Sequence, residues 1–144
     1  MIKRFFAICT IIGTISFTGC SQDIVIKTDD IPNEISAYIT ANFPNQLITQ
    51  ATKDKDGLDV SYEINLNDLT ELDFNRKKEI TGIDRNSKLP DSVVPEKILN
   101  YVKNNYPYSA ITSWKIDDNN QEIEVDNGLD LEFNLSGDFI SIDN

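Results

Sequence analysis

The chain has 144 residues, 24 acidic side chains against 13 basic ones and no histidine, and it carries a formal charge of −11. Such a field repels phosphates and so disfavours nucleic acid as a partner. Without imidazole there is no Ser-His or Cys-His nucleophile, no His-ligated zinc and no ordinary neutral-pH base.

In chain order, Met1-Ile2-Lys3-Arg4 is a short basic start, Phe5 to Phe17 is mostly apolar, and Thr18-Gly19-Cys20 closes the run. That order reads as a secretory signal peptide over residues 1–19, too short to span a bilayer. Small residues directly before Cys20 resemble a bacterial lipobox, which implies lipidation of Cys20 and a lipid anchor as the only membrane contact. The expected address is the cell envelope, as an outer-membrane lipoprotein facing the periplasm or the surface. The one other cysteine, Cys9, lies in the leader, so the mature chain has no disulfide to form and depends on a core. Residues 20–30 read as a tether and 31–144 as one domain.

That domain is a duplication. IPNEISAYITANFP (31–44) recurs 63 positions later as VPEKILNYVKNNYP (94–107), and YEINLNDLTELDFN (62–75) recurs at a spacing of 59 as QEIEVDNGLDLEFN (121–134). The repeats run over 31–84 and 94–143, joined by the polar 85–91, and four residues are lost from a loop in the second. In each repeat the apolar side chains at 31, 35, 38, 39 and 43, or at 94, 98, 101, 102 and 106, have helical spacing. Pro32 and Pro95 open these helices, and Pro44 and Pro107 end them.

Strands follow. Leu58, Val60, Tyr62, Ile64 and Leu66 alternate with polar residues, as do Leu72 and Phe74, and Leu129, Leu131 and Phe133. Period two with one polar side predicts a sheet buried on one face. Asp56-Gly57, Asn127-Gly128 and Ser136-Gly137 are hairpin signals. Shorter strands near 49–53 and 112–116 complete the set. The fold class is α+β: two tandem repeats of one helix plus four strands, forming one antiparallel sheet of up to eight strands with both helices on one face.

The duplicated helix ending Asn-Phe/Tyr-Pro, the acidic alternating strands, the DLEFNLSGDFISID ending and the leader resemble the PepSY-like, β-lactamase-inhibitor-like lipoproteins of Bacteroidetes. The resemblance implies a helix on four antiparallel strands in each repeat and a binding or inhibitor-like role without an established reaction.

The polar side of the strands collects Asp59, Glu63, Glu71, Asp73, Glu122, Glu124, Asp130 and Glu132, diluted on this reading by Lys53, Arg76, Lys77, Lys78 and Lys115. These carboxylates are candidates for binding a basic protein partner. Trp114, which stands where repeat one has Ala51, either fills a gap between repeats or anchors that partner; Tyr108, against Asn45, poses the same choice. Asp54, Asp56, Gly57 and Glu63 fall at places three, five, six and twelve of an EF-hand pattern, but Thr52 holds the first place and the flanks read as strands. No metal site, cofactor or catalytic residue is expected. The function expected is a lipid-anchored envelope module that binds a protein through its sheet face or hairpins, with calcium binding as the alternative and a carboxylate hydrolase last.

Overall fold

A computed structural model describes residues 23–117 and 119–143. The leader and Cys20 lie outside the described residues, as do Asp118 and Asn144. Strand β1 (Ile24–Val25) precedes helix α1 (Asn33–Asn42) and strands β2 (Ile48–Asp56), β3 (Asp59–Leu66), β4 (Glu71–Phe74) and β5 (Ile80–Asp84). The second repeat supplies α2 (Glu96–Asn105), β6 (Ile111–Asp117), β7 (Asn120–Val125), β8 (Leu129–Asn134) and β9 (Phe139–Asp143). All nine strands form one sheet in chain order, and every neighbouring pair is antiparallel.

Local chemistry accounts for the elements. Pro32 (φ −52°) and Pro95 (φ −53°) sit immediately before the first helical residues, with a proline-fixed φ that suits a helix entrance. Gly57, Gly128 and Gly137 take positive φ at three hairpin turns. Leu69 fills the bend between β3 and β4 with φ 66°, an uncommon geometry for a leucine. Asp68 supports it by accepting a bond from the Thr70 backbone N–H at 3.2 Å.

The buried face is organised in rows that cross the strands. One row reads Ala51, Ile64, Leu72, Ile83, Trp114, Ile123, Leu131 and Ile142, each paired with the next. All but Ile142 are buried. The helices close this face with Ile35 and Ile39 from α1 and Ile98 and Val102 from α2. Each also sets a tyrosine edge-on against a buried phenylalanine: Tyr38 against Phe74 at 5.6 Å between ring centres, and Tyr101 against Phe133 at 5.3 Å.

Two features differ from the sequence reading, and two side chains it left between core and surface are now placed. The tether contains a ninth strand, because Ile24 and Val25 pair with Lys53 and Thr52 and Ile26 donates to the Ala51 carbonyl at 2.9 Å. A run of three β-branched residues beside an open strand edge finds ladder partners there. Leu58 does not join the buried alternation; it sits beside Gly57 at the hairpin tip and is 92% exposed. Trp114 lies on the buried face, 5% exposed, and donates to Gln121 Oε1 at 3.0 Å, so it packs between the repeats and not as an exposed anchor. Tyr108, by contrast, is 99% exposed.

The two tyrosines test whether the repeats are energetically equivalent. Tyr38→Ala and Tyr101→Ala should each lower unfolding stability by about 2 kcal/mol in urea melts, less than an aromatic truncation in a fully buried core because both rings are partly buried. A loss at only one site would show that the two helices do not carry equal shares of the core.

Candidate functional site

On the open face two further rows cross the sheet. The first reads Thr52, Glu63, Asp73, Gly82, Lys115, Glu122, Glu132 and Ser141; the second reads Gln50, Asn65, Glu71, Asp84, Ser113, Glu124, Asp130 and Asp143. Seven of the eight candidate carboxylates stand in these two rows, and Asp59 lies at the outer end of the same face of β3. Of the five cations expected to dilute the face, the strand pairing places Lys115 on it. Lys53 pairs with Tyr62 and lies over its ring, 5.7 Å from the centre, on the side of the core. Arg76, Lys77 and Lys78 occupy the β4–β5 turn, where strand alternation no longer assigns a face.

Glu63, Glu71 and Asp73 converge. One carboxylate oxygen from each lies within 4.8 Å of those of the other two. Strand pairing dictates this, since Glu63 is directly opposite Asp73 and Glu71 is the next same-face residue along β4. Glu63 accepts a bond from Asn65 Nδ2 at 2.9 Å, and no ion pair among the described residues reaches any of the three. Asp73 keeps an outer side open to solvent, yet its carboxylate is wedged over the backbone of Gly82. A Cβ at position 82 would come within 2.7 Å of Asp73 Oδ2, so glycine is what makes room for the carboxylate. Lost hydration there, followed by the charges of Glu71, Glu63 and Asp84, pushes the Asp73 carboxyl up to about 6. Desolvation, then Glu63 and Asp84, also raises Glu71.

The second repeat carries the corresponding carboxylates as Glu122, Asp130 and Glu132, and there the protein supplies partners. Lys115 bonds Glu122 at 2.9 Å, Ser141 Oγ donates to Glu132 Oε2 at 2.7 Å, and Asn120 Nδ2 donates to Glu132 Oε1. The hydrogen bond to Glu122 raises the Lys115 pKa. In repeat one, Thr52 stands where Lys115 would, Gly82 where Ser141 would and Ser61 where Asn120 would. Two grooves flank the cluster of the first repeat. One of about 350 Å3 is lined by Asp23, Thr52, Asp54, Ser61, Glu63 and Asp73, and one of about 300 Å3 by Glu71, Asp73, Gly82, Asp84, Ser113 and Lys115.

The near-EF-hand stretch is the β2–β3 hairpin: Asp56 pairs with Asp59 across the Gly57 turn, and Asp54 pairs with Ser61. A twelve-residue loop wrapping one ion is therefore not formed. Sequence reasoning missed Gly82 and Thr52, because a glycine and a threonine carry no charge signal and matter only through the side chains beside them. Aligning the two repeats exposes both.

A family profile described as "Putative beta-lactamase-inhibitor-like, PepSY-like" matches residues 18–81 and again 60–141, and the chain belongs to that family. A "putative periplasmic protein" of the DUF2874 family from Bacteroides vulgatus is similar in structure, with a TM-score of 0.80 and 28% identity over 85% of this chain and 97% of that one. A "putative calcium-regulated periplasmic protein" from Bacteroides thetaiotaomicron is similar with a TM-score of 0.79 and 26% identity over 85% of this chain and 97% of that one. A second periplasmic protein of unknown function from Bacteroides vulgatus gives a TM-score of 0.80 and 27% identity, over 85% of this chain and all of its own. No curated protein matches the chain.

The raised Asp73 carboxyl makes stability depend on pH. A carboxyl that titrates higher in the folded chain than its ordinary 3.8 favours folding while protonated, and that advantage is lost as pH rises through about 6. The melting temperature should accordingly carry a falling contribution between pH 3.8 and about 6, and Asp73→Asn should remove it and raise the neutral-pH melting temperature. An unchanged pH profile in that variant would show that Asp73 ionises without strain.

Proposed function

We propose that this PepSY-like protein is a lipid-anchored binding module of the cell envelope, which takes a basic group of a protein partner on the Glu63, Glu71 and Asp73 carboxylates. The observation that carries this reading is the contrast between repeats. Where the second repeat holds Lys115 on Glu122, the first leaves a row of like charges without an ammonium. A lysine side chain from a partner would occupy over β2 and β3, beside Glu63, the place that Lys115 occupies over β6 and β7. The remaining carboxylates, Glu122, Glu124, Asp130, Glu132 and Asp59, extend the same field and would steer such a partner.

The address in this reading rests on the segment order ahead of Cys20 and on the periplasmic relatives. The exposed, side-by-side setting of the carboxylates supports binding over catalysis. Glycoside hydrolysis needs two carboxyl groups flanking a bond, and these share one face of a sheet.

A second reading is favoured by the convergence of three oxygens and by the name of the Bacteroides thetaiotaomicron relative: a calcium ion in place of the ammonium. Calcium takes six to eight oxygens at about 2.3–2.6 Å. Three carboxylates on one face could supply part of that shell and water the rest, so the donor set fits a weakly held, hydrated ion.

One titration separates the readings. The labelled protein is followed by NMR as it receives either calcium chloride or a short lysine-bearing peptide. On the first reading the peptide moves the resonances of Glu63, Glu71 and Asp73, the effect fades as salt screens charges beyond about 8 Å, and reversal of the three to lysine abolishes it. A response to calcium alone, with a raised melting temperature, selects the second reading. Silence to both sinks the two together.

Anchoring is tested separately. Wild-type protein recovered from membranes should begin at Cys20 with an acyl mass added, and Cys20→Ser should release it to the soluble fraction. An unmodified Cys20 in the intact mass would remove the lipid anchor from the proposal.

A further inference from the structure

From the way the two repeats are joined, we infer that the free edge of β9 is a docking site for an extended, basic and apolar segment of another protein, added as a tenth antiparallel strand. This stands apart from the carboxylate reading, since it involves the opposite end of the sheet and backbone pairing.

The buried row that starts at Ala51 shows the vacancy. Ile83 in β5 is 2% exposed because Trp114 of β6 lies next to it, whereas the corresponding Ile142 in β9 is 45% exposed. In the same strand Phe139 and Ile140 are 36% and 48% exposed. Apolar side chains thus gather along a five-residue strand whose outer side has no ladder among the described residues.

Edges that are not used are ordinarily blunted by shortness, charge, proline or a bulge. The opposite edge follows that rule, for β1 is two residues long. Strand β9 carries neither lysine nor proline, and its irregularity is confined to the bulge around Ile140.

The internal junction prescribes what fits. There Gly82, Ile83 and Asp84 pair with Lys115, Trp114 and Ser113, and the Arg85 N–H continues the ladder to the Thr112 carbonyl at 3.0 Å. The corresponding residues of β9 are Ser141, Ile142 and Asp143. An incoming strand therefore needs a large apolar residue opposite Ile142 to continue the core row. It also needs a basic residue on the other face, beside an open row that already ends in Asp130 and Asp143. Asp130 is raised by desolvation and by the charges of Glu122 and Asp143, with Lys115 opposing, so added positive charge is favoured there.

A second copy of this chain is the poorer occupant. With a charge of −11 on each molecule, edge-to-edge pairing would run one set of acidic rows into another. Recognition by strand addition takes affinity from main-chain bonds and specificity from alternate side chains, as this edge offers.

The probe is the blocked peptide Ile-Thr-Ser-Trp-Lys-Ile, the β6 sequence itself, added to isotopically labelled protein. Saturable shifts and slowed amide exchange should be confined to Phe139–Asp143 and the adjoining β8. Both should weaken about tenfold in Ile142→Lys, or when serine replaces the peptide tryptophan. Ile142 is half-exposed, so that variant keeps its fold, checked by an unchanged melting curve. Shifts confined to Glu63, Glu71 and Asp73 would assign the peptide to the open face and overturn the inference, as would no saturable response. Self-association in sedimentation that Ile142→Lys removes would make a second copy the occupant and overturn it too.

Discussion

Three residue pairs hold this molecule together as one body. Gly82, Ile83 and Asp84 pair with Lys115, Trp114 and Ser113, and through them two four-strand units become one sheet. Each unit alone would have about fifty residues, too few to bury a comfortable core. Because Ile83 and Trp114 meet at the junction, the buried row passes from one repeat into the other without a break. The same pairing brings Gly82 and Lys115 side by side on the open face, so the electrostatics of the two repeats also meet there.

Among the described residues two α-helices cover a nine-strand sheet on one face, and the other face is polar. Along β3, β4, β7 and β8 that polarity is supplied mostly by Asp and Glu. Carboxylates directly opposite one another cost up to about 1 kcal/mol per pair unless something intervenes. In the second repeat Lys115, Asn120 and Ser141 intervene; in the first the corresponding Thr52, Ser61 and Gly82 do not. Lost hydration first, and neighbouring charge second, raise Glu71 and Asp73 in the first repeat; in the second Asp130 is raised as well, but there Lys115 opposes the shift.

The architecture was largely legible because duplication repeats every signal. Helix spacing at Ile35, Tyr38 and Ile39 returned at Ile98, Tyr101 and Val102, and three hairpin glycines marked turns that only positive φ can make. Strand β1 was hidden, since Ile24-Val25-Ile26 is too short to display a period and acquires its partner only from β2. Leu58 misled because alternation does not announce where a strand stops and its turn begins. The open-face carboxylates were readable as a set, but the cluster of three was not. It depends on register, which places Glu63 opposite Asp73, and on a glycine in a strand that is distant in sequence. Lys53, counted as diluting the face, lies on the core side over Tyr62, because charge balance along a chain says little about balance across a sheet.

The two faces have diverged under different constraints. Inside, Ala51 and Tyr62 of the first repeat correspond to Trp114 and Gln121 of the second, so the large ring moves from one strand to its neighbour. That exchange comes with its own satisfaction: Gln121 is 5% exposed, accepts from the Trp114 indole at 3.0 Å and donates to the Asn134 and Leu135 carbonyls at 3.1 and 3.3 Å. A buried polar group must be paired or it costs the fold, so a core change is complete only when its hydrogen bonds are. On the open face, exchanging Lys115 for Thr52 leaves a deficit that solvent tolerates and a cation would relieve. Water's tolerance allows such an excess of negative charge to persist in a stable protein, because exposed carboxylates keep part of the hydration that buried ones would lose.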